Sequence, residues 1–197
     1  RSLFKNQSKS IKVLDVGSND GSFMQACSNN EMEVYGIEPA SNLAKIANKA
    51  GLKTLCCYYD NSIKNKITEQ FGSRADDFDV ITFNNVLANM PSPRESLEVA
   101  RSMLKDDNSR IIIQTGYHPT QFTSGLFDYI YHEHYSYFSA KSLTVLANMC
   151  ELEVEDIKEI DLRGGSIRII LRRGSAKPTK ISLDSNIYER FSNCQEY

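Results

Sequence analysis

The stretch VLDVGSNDGSF, Val13 to Phe23, decides the fold. Its first half belongs to an apolar run, Ile11 to Val16 (IKVLDV), which reads as a buried strand. Its second half opens a short helix over Ser22 to Asn30. Gly17 and Gly21 fall in the turn between them. There the backbone must pass close to a ligand and take positive φ, which glycine does at low cost. The helix N-terminus that follows presents unpaired N–H groups, suited to a carboxylate or phosphate. Asp15 and Asp20 add negative charge beside the turn. Acids there repel a pyrophosphate but suit an ammonium and a sulfonium, the two cations of S-adenosylmethionine (SAM).

Further along, Glu33 to Ile37 (EVYGI) reads as a second strand closed by Glu38-Pro39. An acid about 20 residues past a glycine turn is placed to accept the hydroxyls of an adenosine ribose. That fits NAD as well as SAM, but the GxGxxG pattern is absent, because Gly17 is followed by Asn19 and Gly21. Helical spacing over Ala40 to Ala50 predicts a helix with Leu43, Ile46, Ala47 and Ala50 on one face, stopped by Gly51. Leu52 to Cys57 is a weaker third strand. Asp60 is a candidate N-cap for a helix over Asn61 to Phe71, and Tyr58 or Tyr59 is a packing residue or an adenine platform.

Phe78 to Phe83 is a fourth strand, ending at Asn84 and Asn85. Carboxyl ends of central strands line the ligand crevice of open α/β sheets, so both asparagines are candidates to touch cofactor or substrate. A helix from Pro93 to Leu104, a turn at Asp106 to Asn108, and a fifth strand over Arg110 to Thr115 follow. A long aromatic loop runs from Gly116 to Phe138; loops of that length are usually functional. Ser139 caps a helix through Cys150. Glu151 to Ile160 and Ser166 to Arg172 then form a hairpin around Gly164-Gly165. Repeated βα units predict a doubly wound, mostly parallel seven-stranded α/β sheet whose last two strands are the hairpin. The domain is expected over 1–173. The polar segment 174–197, with a helix around Ile187 to Phe191, reads as an extension or the start of a further region.

Composition narrows the classes. The 197 residues suffice for one full α/β domain, and 41% are hydrophobic, enough for a sizeable core. A net charge of −2 argues against a broad nucleic-acid surface. No apolar run reaches the length of a membrane span, and no signal pattern is read. The five cysteines are odd in number and lack a CxxC pair, which predicts a reduced, cytoplasmic protein without a disulfide framework.

The chemistry is expected in Tyr131-His132-Glu133-His134-Tyr135, with Tyr137 behind it. This stretch follows the fifth strand. Methylating carbon requires a base for an acidic C–H, a task for a histidine near neutral pH. The enolate then requires a hydrogen-bond donor, which a tyrosine hydroxyl supplies. HEH is not the HExxH zinc motif and has no third ligand spaced nearby, so no metal is expected. His118, before Pro119, reads as a loop residue.

Together these residues resemble the sugar C-methyltransferases of deoxysugar pathways and their class I methyltransferase relatives. The resemblance rests on VLDVGSNDGSF at 13–23, GIEPA at 36–40, FNNVLANM at 83–90, FDYIYHEHYSYFS at 127–139 and GGSIRI at 164–169. It implies a Rossmann-like class I fold and methylation next to the ketone of a nucleotide-linked keto-deoxysugar, a small-molecule acceptor. It implies His134 as the base, with Tyr131 and Glu133 on the substrate or enolate and His132 nearby. It implies that Asp15, Gly17, Ser18, Asn19 and Gly21 cradle SAM, that Glu38 and Pro39 hold its ribose end, and that Asn84 and Asn85 lie against its amino-acid part or sulfonium. GGSIRI is expected near the sugar. The sugar enzymes carry a histidine where this chain has Asn89. Their cysteine-rich zinc domain and C-terminal half have no counterpart in these 197 residues, so an excised core or a shorter relative is expected. Other readings are an O- or N-methyltransferase, an NAD-dependent oxidoreductase and a non-catalytic SAM-binding module.

Overall fold

Apolar runs flanked by turn residues become strands, and the amphipathic stretches between them become helices. The computed structural model describes residues 10–72, 77–126 and 128–174. In chain order the elements are β1 (Lys12–Val16), α1 (Ser22–Ser28), β2 (Glu33–Ile37), α2 (Ser41–Lys49), β3 (Lys53–Leu55), α3 (Ile63–Phe71) and β4 (Val80–Asn84). After them come α4 (Pro93–Ser102), β5 (Arg110–Gly116), α5 (His118–Thr123), α6 (Ala140–Met149), β6 (Leu152–Ile160) and β7 (Ser166–Arg173). A 3-10 turn, Leu87–Asn89, follows β4.

The strands hydrogen-bond in the order β3-β2-β1-β4-β5-β7-β6. β1 pairs parallel with β2, and β2 with β3, whereas β7 runs antiparallel to both β5 and β6. This is the predicted seven-stranded sheet with its terminal hairpin. The strand order turns back at β1, whose carboxyl end is Val16-Gly17, and such a reversal is where open α/β sheets bind ligands.

Contacts divide the chain into two units. One holds the described residues of Arg1–Thr82 and Ser102–Arg110; its core is Leu14, Met24, Ile37, Ile63, Ile67, Phe78 and Ile81, all essentially without solvent contact. Buried Asp79 sits at its edge, accepting the Lys12 N–H at 2.9 Å and the Lys105 ammonium at 2.8 Å. The other unit holds Phe83–Arg101 and the described residues of Ile111–Tyr197, around Phe83, Leu97, Ile111, Ile113, Tyr117, Leu143, Ile167 and Ile169.

Local signals hold at several ends. The Ser139 hydroxyl accepts the Ser142 N–H while the Ser142 hydroxyl takes the Ser139 N–H, a capping box that starts α6. Pro93 opens α4, where its missing N–H costs nothing. Other expectations are corrected. On α2 the buried residues are Ala44 and Ala47, while Ile46 is 52% exposed. Small side chains let that helix lie close, and a Cβ on Gly21 would meet Ala47 at 3.1 Å and Leu52 at 2.5 Å. β3 spans only Lys53–Leu55. Asp60 lies two residues before the α3 cap position, Ser62, and accepts that residue's N–H at 2.9 Å. Tyr58 is 77% exposed rather than packed, whereas burial pushes the Tyr59 phenol far above its usual pKa. The segment 116–138 is not bare loop but contains α5. Among the described residues no helix is long and apolar enough to cross a membrane. The expected extension and its helix at Ile187 to Phe191 lie outside the described residues.

Candidate functional site

The glycine turn after β1 is held by backbone. Gly17, Asn19 and Gly21 have φ of 71°, 53° and 87°, so the chain coils through left-handed conformations that glycine and asparagine tolerate best. The N–H groups of Gly17 and Ser18 both donate to the Ile37 carbonyl on β2, at 2.8 and 3.0 Å. Glu38, one residue on, is 7% exposed. Its Oε2 accepts the Asn19 N–H at 2.9 Å and its Oε1 the Ala40 N–H at 2.8 Å. The acid predicted to hold a ribose is therefore oriented by the turn itself. Pro39 beside it is exposed.

Gly36 on β2 makes room for this arrangement. A Cβ there would meet Met24 Sδ at 2.5 Å and Ser18 Oγ at 2.6 Å. Ser18 Oγ is buried and makes no hydrogen bond, an orphaned polar atom inside the turn. Asp15 is 2% exposed, and its Oδ1 accepts the Thr82 hydroxyl at 2.6 Å. Asp20 differs: it is exposed and accepts both the N–H and the hydroxyl of Ser22, at 3.0 and 2.7 Å. Those hydrogen bonds hold its carboxyl below the usual carboxylate range and fix the first residue of α1. The donor set fits SAM: a buried carboxylate for a ribose diol, an unpartnered serine hydroxyl, and a turn that stands open at Asn19 and Asp20. On the other unit, Asn84 ends β4, and Asn85, at φ 55°, donates its N–H to the Gln114 carbonyl at 2.8 Å.

The aromatic segment lies wholly within that second unit. Its stem is closed by a parallel bridge between Tyr117 and Phe138, with the His118 N–H on the Phe138 carbonyl at 3.0 Å. The Ala88 carbonyl accepts the N–H groups of Tyr135 (2.8 Å) and Ser136 (3.2 Å), which docks the far side on the 3-10 turn. Asn89, in that turn, has a buried Oδ1 with no hydrogen bond. The hairpin supports the near side: a Cβ on Gly165 would strike Thr120 at 2.8 Å, and one on Gly164 would strike Leu126 at 2.0 Å. GGSIRI thus packs against the start of the aromatic segment.

The HEH residues do not act as one cluster. His132 and Glu133 stand exposed on a turn. His134 folds back, with its ring centre 4.3 Å from Tyr131 and 5.7 Å edge-on to Tyr137. Its Nδ1 lies 2.9 Å from the Tyr129 carbonyl. A carbonyl only accepts, so Nδ1 carries a proton, and in the neutral ring Nε2 then keeps its lone pair. Two residues of this group escaped the sequence reading. His118 is not a loop residue but opens α5, and its Nδ1 is 3.0 Å from the Tyr129 hydroxyl. The Pro119 that follows was the available signal, since proline favours the first helical turn.

A model of the family described as "Methyltransferase domain" matches residues 1–157. The chain is similar to the C-methyltransferase NovU of Streptomyces niveus, 29% identical over 164 residues, covering 83% of this chain and 38% of that protein. It is also similar to a ubiquinone biosynthesis O-methyltransferase of Actinobacillus pleuropneumoniae serotype 7 (strain AP76), 32% identical over 100 residues, covering 49% of this chain and 42% of that one. The chain thus spans about two fifths of the length of these relatives. A solved SAM-dependent methyltransferase from Archaeoglobus fulgidus shares the fold, with a TM-score of 0.64 at 16% identity, over 87% of this chain and 89% of that one. The strand order with its antiparallel β7 and the family match agree: this chain belongs to the methyltransferase domain family and has the Rossmann-like fold of class I methyltransferases.

Proposed function

We propose that the protein methylates carbon next to a ketone in a small activated acceptor, a nucleotide-linked keto-deoxysugar or a close analogue, with His134 as the base. The observation that carries this reading is the Nδ1 hydrogen bond of His134 to the Tyr129 carbonyl, which leaves Nε2 as a free proton acceptor. Transfer to oxygen or nitrogen has less need of such a base. NovU bears the name of a C-methyltransferase, which supports carbon as the acceptor atom.

In this reading Glu38 accepts the ribose hydroxyls and the Gly17–Gly21 turn receives the rest of the cofactor, with Asp15, Ser18, Asn19 and Pro39 around it. The resemblance assigns Asn84 and Asn85 to its amino-acid end. SAM supplies an electrophilic methyl when bound. His134 Nε2 takes the proton beside the ketone, Tyr131 donates a hydrogen bond to the enolate oxygen, and Glu133 and His132 meet the acceptor from the exposed turn. The free thiols Cys27, Cys56, Cys57 and Cys150 suit a reducing cytoplasm.

O-methylation is the second reading, favoured by the ubiquinone-pathway relatives. One experiment separates them. The chain is first titrated with SAM by calorimetry. A panel of nucleotide-linked keto-deoxysugars, tritiated beside the ketone, is then incubated with the enzyme. Tritium release that depends on His134 supports carbon methylation. Methyl transfer without any release overturns it in favour of oxygen.

A further inference from the structure

His118 and Tyr129 have no part in the reaction as derived so far, yet both sit in the same aromatic group as His134. The Tyr129 phenol is hydrogen-bonded to His118 Nδ1 at 3.0 Å. Its ring meets those of His118 and Tyr137 edge-on, at 5.7 and 5.9 Å. Tyr137 in turn lies 5.8 Å from His118 and 5.7 Å from His134. The other end of Tyr129, its carbonyl, is the group that receives His134 Nδ1–H. Both imidazoles therefore use Nδ1 on one and the same residue.

Asp128 to Tyr137 contains neither helix nor strand, so the Tyr129 carbonyl is not fixed by regular structure. His118 is: it begins α5, and its own N–H is tied to the Phe138 carbonyl. We infer that His118 is a positioning residue for the methyl-transfer base: by holding the Tyr129 phenol it fixes the Tyr129 carbonyl, and so keeps His134 in the Nδ1–H tautomer with Nε2 free. A hydrogen bond that stretches from 2.9 to about 3.6 Å no longer counts as one, so a small slip of residue 129 releases the imidazole to its other tautomer. In that form Nε2 bears the proton and cannot act as a base. Burial supports the arrangement, since it lowers the His118 pKa and raises that of Tyr129, keeping both partners neutral.

The inference rests on the reading of His134 as base, and its test is chosen to be independent of turnover. Nitrogen-15 NMR of the full chain, labelled in histidine and held where His134 is neutral, reads the tautomer directly. Wild type is expected to show a protonated Nδ1 and a bare Nε2. Tyr129→Phe and His118→Leu each are expected to give a tautomer mixture, with tritium release from a keto-deoxysugar probe falling about 10- to 100-fold. His118→Asn places an amide near the former Nδ1 and is expected to restore both signals, which a loss of general loop packing would not do. Thermal melts of all three variants identify any that fail to fold, and His118→Asn against His118→Leu still decides the matter if Tyr129→Phe does. A pure Nδ1–H signal for His134 in the folded His118→Leu protein overturns the inference. A His134→Ala enzyme with unchanged turnover would instead overturn the base assignment, and it does so in a different variant and a different measurement.

Discussion

In residues 13–40 the turn is fixed by backbone N–H groups that donate to one strand carbonyl and to one carboxylate, whereas in residues 117–138 two of the ties run through imidazoles and a phenol across irregular chain. Gly17 and Ser18 hang from the Ile37 carbonyl, and Asn19 and Ala40 from one carboxylate. The aromatic segment is held by a phenol on an imidazole, an imidazole on a carbonyl, and a carbonyl on the 3-10 turn that takes two N–H groups. A turn tied by its own N–H groups has its shape set by the chain and tolerates little change. A region tied by side chains depends on which residues stand there.

The sharpest way to test this division is to remove one group from each region. His134→Ala is expected to cut methyl transfer by about 10²- to 10⁴-fold while leaving SAM affinity within about 2-fold, since general-base contributions have that size; single-turnover assays and calorimetry on one preparation measure both. Glu38→Ala should do the reverse. It strands the Asn19 and Ala40 N–H groups at about 1–3 kcal/mol each, so SAM binding is expected to weaken about 10- to 100-fold. Unaltered affinity by calorimetry would remove the ribose role. Gly36→Ala is the next smaller effect: its methyl meets Met24 and Ser18, and thermal unfolding should show a loss of about 1–3 kcal/mol.

The smallest expected effect is a pH dependence in the side-chain region. Burial lowers His118 below the ordinary value of 6.5. Between the folded value and 6.5 the unfolded chain binds a proton that the folded chain refuses, so stability rises with pH through that window and falls on acidification. Melting temperatures measured on either side of the window should show this slope in wild type. His118→Asn, which does not titrate, should show less of it; an identical slope would place its origin elsewhere.

The same contrast explains what the sequence disclosed. The β1 turn and the α6 cap were legible because each lies in a short run of residues, as Ser139 and Ser142 do, and Glu38 because it ends a strand at a set distance past the glycines. On α2 the helical spacing is right for Ala47 and wrong for Ile46, because the close approach of the helix selected the small Ala44 beside Ala47 and left Ile46 exposed. His118 and Tyr129 were missed for a related reason. Their contact joins positions eleven apart through a segment without periodicity, and no local pattern encodes it. Within HEH, spacing alone did not distinguish the folded-back His134 from exposed His132, because a turn at Tyr131 to His134 separates them.

The bridge between Tyr117 and Phe138 has a consequence for how such a domain diversifies. Because the segment is pinched shut at its base, residues between those two positions can be exchanged or lengthened without disturbing β5 before them or α6 after them. If the acceptor is held there as proposed, a change of acceptor needs new residues only between the two ends of that bridge, and the glycine turn of the other unit can keep its own hydrogen bonds through it.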